Sequence, residues 1–324
     1  MRERGPGGSS RLAPGGRPWH ARRMIGEIWR RMPMWAIIAA SAALGGAVAL
    51  AAANMFGRYS GLTVPRSEPA ALAHMLAPHA RLRLPATGEA PFPTALLFSG
   101  CDGPKDNLDT WSAALNAQGW AALVVDSHTP RGLTDFQLWR LVCAGQLLTG
   151  AERAGDVAVA VAEAKKLPEV DGERLALLGA SHGGWAVLEF LSMADHGEVP
   201  HALTRWPEGM AEAPLDGVAA ALLLYPYCGQ LSRASRRGWN SPVPALFLLV
   251  EGDAIASEKP CQRIVAREAG RGLPVEQHVY YGVTHGFDQK EKAALSALAF
   301  DAEATEDALA RGIAFLDEAI GRAP

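Results

Sequence analysis

Six apolar runs of strand length, at residues 94–98, 120–125, 174–178, 217–225, 244–250 and 275–281, dominate the pattern of the chain. Between and after them the spacing predicts helices over 106–118, 135–149, 151–166, 183–193, 259–269 and 291–320. Strands that alternate with helices are joined by crossovers, and crossovers of this kind build a parallel sheet. Runs such as Ala219-Ala-Ala-Leu-Leu-Leu are apolar at every position, which suits strands buried on both faces. The expected class is therefore α/β, a mostly parallel central sheet with helices on both faces. Nothing resembling a linker interrupts residues 90–320, so 91–324 is read as one domain and 57–90 as a segment connecting it to the N-terminus.

That N-terminus has a different composition. Residues 1–33 hold eight Arg and two Glu among many Gly and Pro, and residues 34–56 are an Ala-rich apolar run with no charge before Arg58. About twenty apolar residues are enough to span a bilayer, which favours a transmembrane anchor. The moderate hydrophobicity and the small residues Ala51-Ala-Ala53 fit a cleaved signal instead. In either case the arginines stay cytoplasmic and the following domain is exported, facing the periplasm or the cell exterior. The chain carries net charge −3, and the +6 of residues 1–33 leaves −9 for the remainder. An acidic domain of this kind is a poor match for nucleic acid.

Cysteine usage agrees with export. Four Cys, an even number, permit disulfides in an oxidising compartment, and Cys101, Cys143, Cys228 and Cys261 lack metal-ligand spacing. Three pairings are open. Cys101 with Cys143 and Cys228 with Cys261 would each join neighbouring loops at one edge of the sheet.

The sharpest local motif is Gly179-Ala-Ser-His-Gly-Gly, placed directly after the run Arg174-Leu-Ala-Leu-Leu and directly before a helical stretch. A serine at such a strand-to-helix turn is held in a strained backbone, and the glycines two residues either side keep bulk away from neighbouring chain. The turn also aims the first helical N–H groups, beginning with that of His182, at one point in space. Ser181 is thus a candidate nucleophile. Its chemistry needs a base and an acid in the order acid then His. Asp253 follows Pro244-Ala-Leu-Phe-Leu-Leu-Val, and His285 follows Val275-Glu-Gln-His-Val-Tyr-Tyr-Gly-Val. Glu251 and Asp288 compete for the acid role. Asp253 is preferred because it lies just past a strand end, whereas Asp288 is close enough to His285 to cap a helix.

The chain resembles the dienelactone hydrolase-like branch of the α/β-hydrolases from about Pro91 to Phe315. The likeness rests on Phe98-Ser-Gly-Cys-Asp-Gly, Val124-Val-Asp-Ser-His-Thr-Pro-Arg-Gly, the motif around Ser181, Tyr225-Pro-Tyr-Cys-Gly and Gly282-Val-Thr-His-Gly-Phe-Asp. It implies an esterase or lactonase that forms an acyl-enzyme on a small-molecule substrate, with a Ser181, Asp253, His285 triad and neither metal nor organic cofactor. It also implies a second oxyanion donor at the N–H of Cys101. The best-known members use a Cys nucleophile and a Glu in the first loop, where this chain has Ser181 and Gly100, which points away from dienelactone itself as substrate. Many relatives also carry Gly where Val250 precedes the acid.

Two further residues are candidate substrate contacts. Arg131 lies in the loop after the second core strand, where ligands of open α/β sheets bind, and is suited either to an anionic group or to a local acid such as Asp135 or Asp126. Trp206 lies in the segment 196–214, which reads either as a lid over the site or as a surface excursion. Two other functional classes fit the same residues: a peptidase of the prolyl-oligopeptidase type, which normally brings a gating domain, and a catalytically silent binding module. Oligomeric state leaves no mark in the sequence.

Overall fold

The computed structural model describes residues 33–292 and 296–322, so the basic segment 1–32 and part of the helix expected over 291–320 lie outside the described residues. The chain divides into two compact units after Ala53. Helix α1 (Met34–Tyr59) crosses that boundary, and it is the one helix among the described residues long and apolar enough to cross a membrane, with a mean hydropathy of 2.1 over its most apolar stretch. None of that stretch is buried.

From Asn54 onward the chain builds one seven-stranded sheet. Its elements, in order, are α2 (Pro69–Leu76), β1 (Ala80–Arg83), β2 (Phe92–Phe98), α3 (Asp106–Ala117), β3 (Ala121–Val125), α4 (Gly150–Ala164), β4 (Val170–Ala180), α5 (His182–Asp195), β5 (Val218–Leu224), β6 (Ala245–Val250), α6 (Glu258–Gly270), β7 (Val275–Tyr280) and α7 (Ala302–Ala319). The sheet order is β1-β3-β2-β4-β5-β6-β7, with β1 antiparallel to β3 and every other pair parallel. The pleat sends alternate residues to opposite cores. Leu96, Leu175 and Leu177 pack with α4 and α5 on one face, while Leu97, Ala176 and Leu178 pack with Trp111 and Leu316 on the other.

Register decides where chemistry can gather. Phe98 pairs with Gly179, Ala180 with Leu224, and Val250 with Tyr280, so β2, β4, β5, β6 and β7 all end at one edge of the sheet. The loops that follow them therefore converge there, as ligand loops of open parallel sheets do.

Three elements differ from the sequence reading. The connecting segment 57–90 contains α2, begun by Pro69 in its first turn, and the edge strand β1. The helix expected over 135–149 is only Asp135–Gln137 followed by a π turn at Leu138–Val142, because Gly145 and Leu148 adopt φ of 66° and 50° and turn the backbone out of the helix. At the C-terminal end, α7 starts at Ala302 rather than 291, since the Asp301 carboxylate accepts from the N–H of Ala304 at 2.9 Å and caps it.

Candidate active site

β4 ends at Ala180 and α5 begins at His182, leaving Ser181 alone between them at φ 52° and ψ −111°. A non-glycine residue there costs about 1–3 kcal/mol and persists only where its surroundings fix it. They do so on both sides: the Ser181 N–H donates to Leu224 O at 2.8 Å, and its carbonyl accepts from Trp185 N at 3.1 Å. The glycines are sterically required. A Cβ on Gly183 would stand 2.1 Å from Phe98 O, and one on Gly179 would stand 2.6 Å from the Gly183 carbonyl carbon.

Asp253 and His285 meet Ser181 from the next two loops. The Asp253 carboxylate is buried, and its Oδ1 accepts from the N–H groups of Ile255 at 2.8 Å and Ala256 at 3.0 Å. Its Oδ2 accepts from His285 Nδ1 at 2.6 Å, and His285 Nε2 lies 2.8 Å from Ser181 Oγ. With Nδ1 protonated against the carboxylate, Nε2 is left as the acceptor for the hydroxyl proton. The rival acids have other surroundings. Glu251 is exposed. Asp288 is buried on the far side of the imidazole, where it accepts from Tyr225 Oη at 2.5 Å and Trp111 Nε1 at 2.9 Å, and burial raises its pKa. The Tyr225 ring stands edge-on to His285, 4.7 Å between centroids, so Asp288 braces the face of the imidazole through tyrosine rather than reaching it.

The two residues expected to offer backbone N–H groups to the site, His182 and Cys101, both lie beside Ser181 among the residues lining its cavities. His182 opens α5, a 14-residue helix whose first N–H groups and positive dipole end face the serine. Cys101 lies in the loop after β2, next to Gly100, whose Cβ position is 3.7 Å from Ser181 Cβ. Cys101 is bonded to Cys143, and Cys228 to Cys261.

Beneath these donors sits a fully buried arginine. Arg153 Nη1 donates to Ser99 O at 2.9 Å and lies 3.1 Å from His182 Nδ1, touching the residue at the root of each donor loop. Burial lowers the Arg153 pKa to about 10. Burial, with the guanidinium beside it, holds His182 well below the usual imidazole range, so its ring is neutral and Nδ1 can accept. The sequence reading missed Arg153, although one signal was there: it is the one basic residue on α4, a helix otherwise made mostly of Ala, Gly and Val.

Two cavities open on Ser181. One, about 130 Å³, also touches His285, Tyr225, Asp102 and Gln289; the other, about 290 Å³, touches Trp185, Tyr227, Leu231 and Met55 of α1. A larger cavity of about 350 Å³ lies between α2 and α4, far from any of this chemistry. Arg131 and Trp206 line neither cavity at Ser181. Arg131 grips Asp156 with both terminal nitrogens, at 2.7 and 3.0 Å, rather than Asp135 or Asp126, and adds Ser127 O at 2.6 Å. Trp206 is buried against Phe190, 6.3 Å between centroids, and with Leu203 and Met210 anchors the segment 196–214 to the core as a packed surface excursion.

Comparison with known proteins agrees with this architecture. An esterase of the Planctomycetes species Thermogutta terrifontis superposes with a TM-score of 0.53 at 16% identity, covering 76% of this chain and 90% of its own. A dienelactone hydrolase-like promiscuous phosphotriesterase from metagenomic libraries gives 0.53 at 16%, covering 74% and 91%. Likeness at that identity speaks for the fold, which is that of an α/β-hydrolase. A curated relative, dipeptidyl-peptidase 5 of Porphyromonas gingivalis, is 26% identical over 236 residues, 63% of this chain; the chain spans only 32% of that protein. A further match takes in the sheet, the elbow and the converging loops together: the model of the dienelactone hydrolase family fits residues 79–320, and the chain belongs to that family.

Proposed function

We propose that the protein is a serine hydrolase that cleaves an ester or lactone through an acyl-enzyme. The observation that carries this reading is the continuous relay from Asp253 Oδ2 to His285 Nδ1 and from His285 Nε2 to Ser181 Oγ, at 2.6 and 2.8 Å. Ser181 Oγ attacks the carbonyl carbon while its proton passes to His285 Nε2, and Asp253 stabilises the imidazolium. The negative charge that develops on the carbonyl oxygen is received by the N–H groups of His182 and Cys101, each such donor being worth about 10²–10³ in rate. As the carbon–oxygen bond to the leaving group breaks, His285 returns the proton to the departing alkoxide. Water then attacks the acyl-serine, giving its proton to His285, and the acid leaves as Ser181 is regenerated.

α1 supports a location outside the cytoplasm, as a membrane tether or an export signal, with the hydrolase unit on the exported side. A peptidase reading is favoured by one observation, the similarity to dipeptidyl-peptidase 5, and it uses the same three residues.

The test is hydrolysis of p-nitrophenyl acetate and of a dipeptidyl p-nitroanilide by the full chain and by Ser181→Ala, with mass spectrometry after a fluorophosphonate probe. The expected result is ester turnover, one adduct on Ser181, and loss of at least about 10⁴ in kcat in the variant. Preference for the anilide would transfer the assignment to the peptidase. A folded protein with neither turnover nor adduct would be a silent member of the fold.

A further inference from the structure

The two cavities that meet at Ser181 differ in size, and the reaction assigns a different half of the substrate to each. His285 must hand a proton to the leaving oxygen, so the leaving alcohol has to lie within hydrogen-bond reach of Nε2. Of the two, the cavity of about 130 Å³ touches His285, and its wall carries Trp139 and Leu298 together with Asp102 and Gln289, whose amide donates to the Asp102 carboxylate at 3.1 Å. The cavity of about 290 Å³ lies on the side of His182. Its lining includes Met55, Trp185, Leu231 and Ala256. The Cys101–Cys143 bridge and Ile255 border both cavities and divide them.

We propose that the substrate is an ester with an extended apolar acyl chain and a small alcohol, the acyl chain lying in the Met55 cavity. This deepens the serine hydrolase reading and rests on it. The wall is built to hold a shape. Trp185 Nε1 donates to Glu189 Oε1 at 2.9 Å, and its rings pack against Tyr227 at 4.9 Å and His182 at 5.0 Å, so the indole cannot swing aside without breaking a buried hydrogen bond. Met55 faces it from α1, and an unbranched thioether adapts to a flexible chain. The chain length accepted is then set jointly by the catalytic unit and by the last turns of α1. On the other side, the cavity of about 130 Å³, walled by Trp139, Ile255 and Leu298 beside Asp102 and Gln289, has less than half the room of the Met55 cavity of about 290 Å³ and suits a short alcohol.

The experiment uses an isomeric pair in which the ester is reversed, methyl octanoate and heptyl acetate, with the full chain in a detergent that has no ester bond. The two isomers partition into micelles almost alike, so a difference in kcat/KM reports the site. Acid release is followed by pH-stat. Methyl octanoate is expected to exceed heptyl acetate by about tenfold or more, since each buried methylene is worth a factor of several. Met55→Trp and, independently, Leu231→Trp fill the acyl cavity and should bring that ratio down about tenfold. Adduct formation on Ser181 by a short-chain fluorophosphonate distinguishes a filled cavity from a misfolded variant. A ratio near one or inverted, in wild-type protein that hydrolyses p-nitrophenyl acetate and labels at Ser181, overturns the acyl assignment alone. Absence of both acetate turnover and labelling overturns the hydrolase reading and this inference with it.

Discussion

Glu189 is the most instructive perturbation, because its environment sets opposite demands on its two protonation states. It sits on α5, fully buried, and its Oε1 accepts from Trp185 Nε1 at 2.9 Å and from the N–H of Arg233 at 2.7 Å. Its Oε2 is buried without a partner of normal geometry. Burial, only partly offset by hydrogen bonds from Ser232, Trp185 and Arg233, raises the pKa from the ordinary 4.5 to about 7. The unfolded chain therefore loses this proton near pH 4.5 while the folded protein holds it up to about 7. Between those values the native state binds more protons than the unfolded one, so stability falls as pH rises. The stabilisation is complete below 4.5 and is lost on passing through about 7. At about 1.4 kcal/mol per pH unit, the loss across the window is about 3 kcal/mol.

Glu189→Gln keeps an oxygen for Trp185 and Arg233 and removes the ionisation. Whatever constant cost the new amide brings, the stability of the variant relative to wild type should grow by about 3 kcal/mol between pH 4.5 and pH 7.5. Urea unfolding followed by tryptophan fluorescence at half-unit pH steps measures this. Curves for the two proteins that run parallel across the window would refute the reasoning, because they would mean that Glu189 is already ionised in the native state at pH 5.

Two other outcomes follow from the geometry of the donor loops. Closing the 42-residue separation between Cys101 and Cys143 is worth about 4 kcal/mol of unfolded-state entropy, so the Cys101→Ser, Cys143→Ser pair should lower stability by about that amount in urea and cut kcat on p-nitrophenyl acetate more than it raises KM. Arg153→Met removes the guanidinium that bonds Ser99 O and faces His182, and should lower kcat by about ten- to a hundredfold with KM little changed; a stability loss without a kcat effect would make Arg153 a packing residue only.

Much of the fold was legible because its signals are local. A parallel strand buried on both faces must be apolar along its length, and β2, β3, β5, β6 and the second half of β4 show it, whereas the edge strand β7, Val275-Glu-Gln-His-Val-Tyr, is partly polar. The strand that escaped, β1, is Ala80-Arg-Leu-Arg, half of it charged, as an exposed edge strand can be. Ser181 could be singled out because the elbow requires glycine at 179 and 183, and Asp253 and His285 because each follows a segment of strand character. What the sequence withholds is which acid faces the imidazole. Asp288 differs from Asp253 only through Trp111, 177 residues away, and Tyr225, 63 away, whose donors hold it. Arg131 and Trp206 were open to two readings for the same reason: a polar or aromatic residue near a strand end looks like a ligand contact until Asp156 or Phe190 is seen against it.

The two proposed oxyanion donors illustrate how differently one task would be met. The His182 N–H is fixed by secondary structure, since it begins a helix whose approach to β2 only glycine at 183 allows. The loop that carries Cys101 lies outside helix and strand, and a loop without a backbone ladder keeps its position only through tethers. Its tethers include the covalent bridge to Cys143 just beyond the π turn, the Arg153 hydrogen bond to Ser99 O and the Gln289 hydrogen bond to Asp102. The first exists only under oxidising conditions. Reduction would free the very loop that divides the acyl cavity from the alcohol cavity and carries one of the donors. Export across the membrane and hydrolysis by Ser181 are therefore linked proposals: full activity requires the compartment to which α1 would deliver the domain, and a reduced enzyme that retained undiminished kcat would break the link.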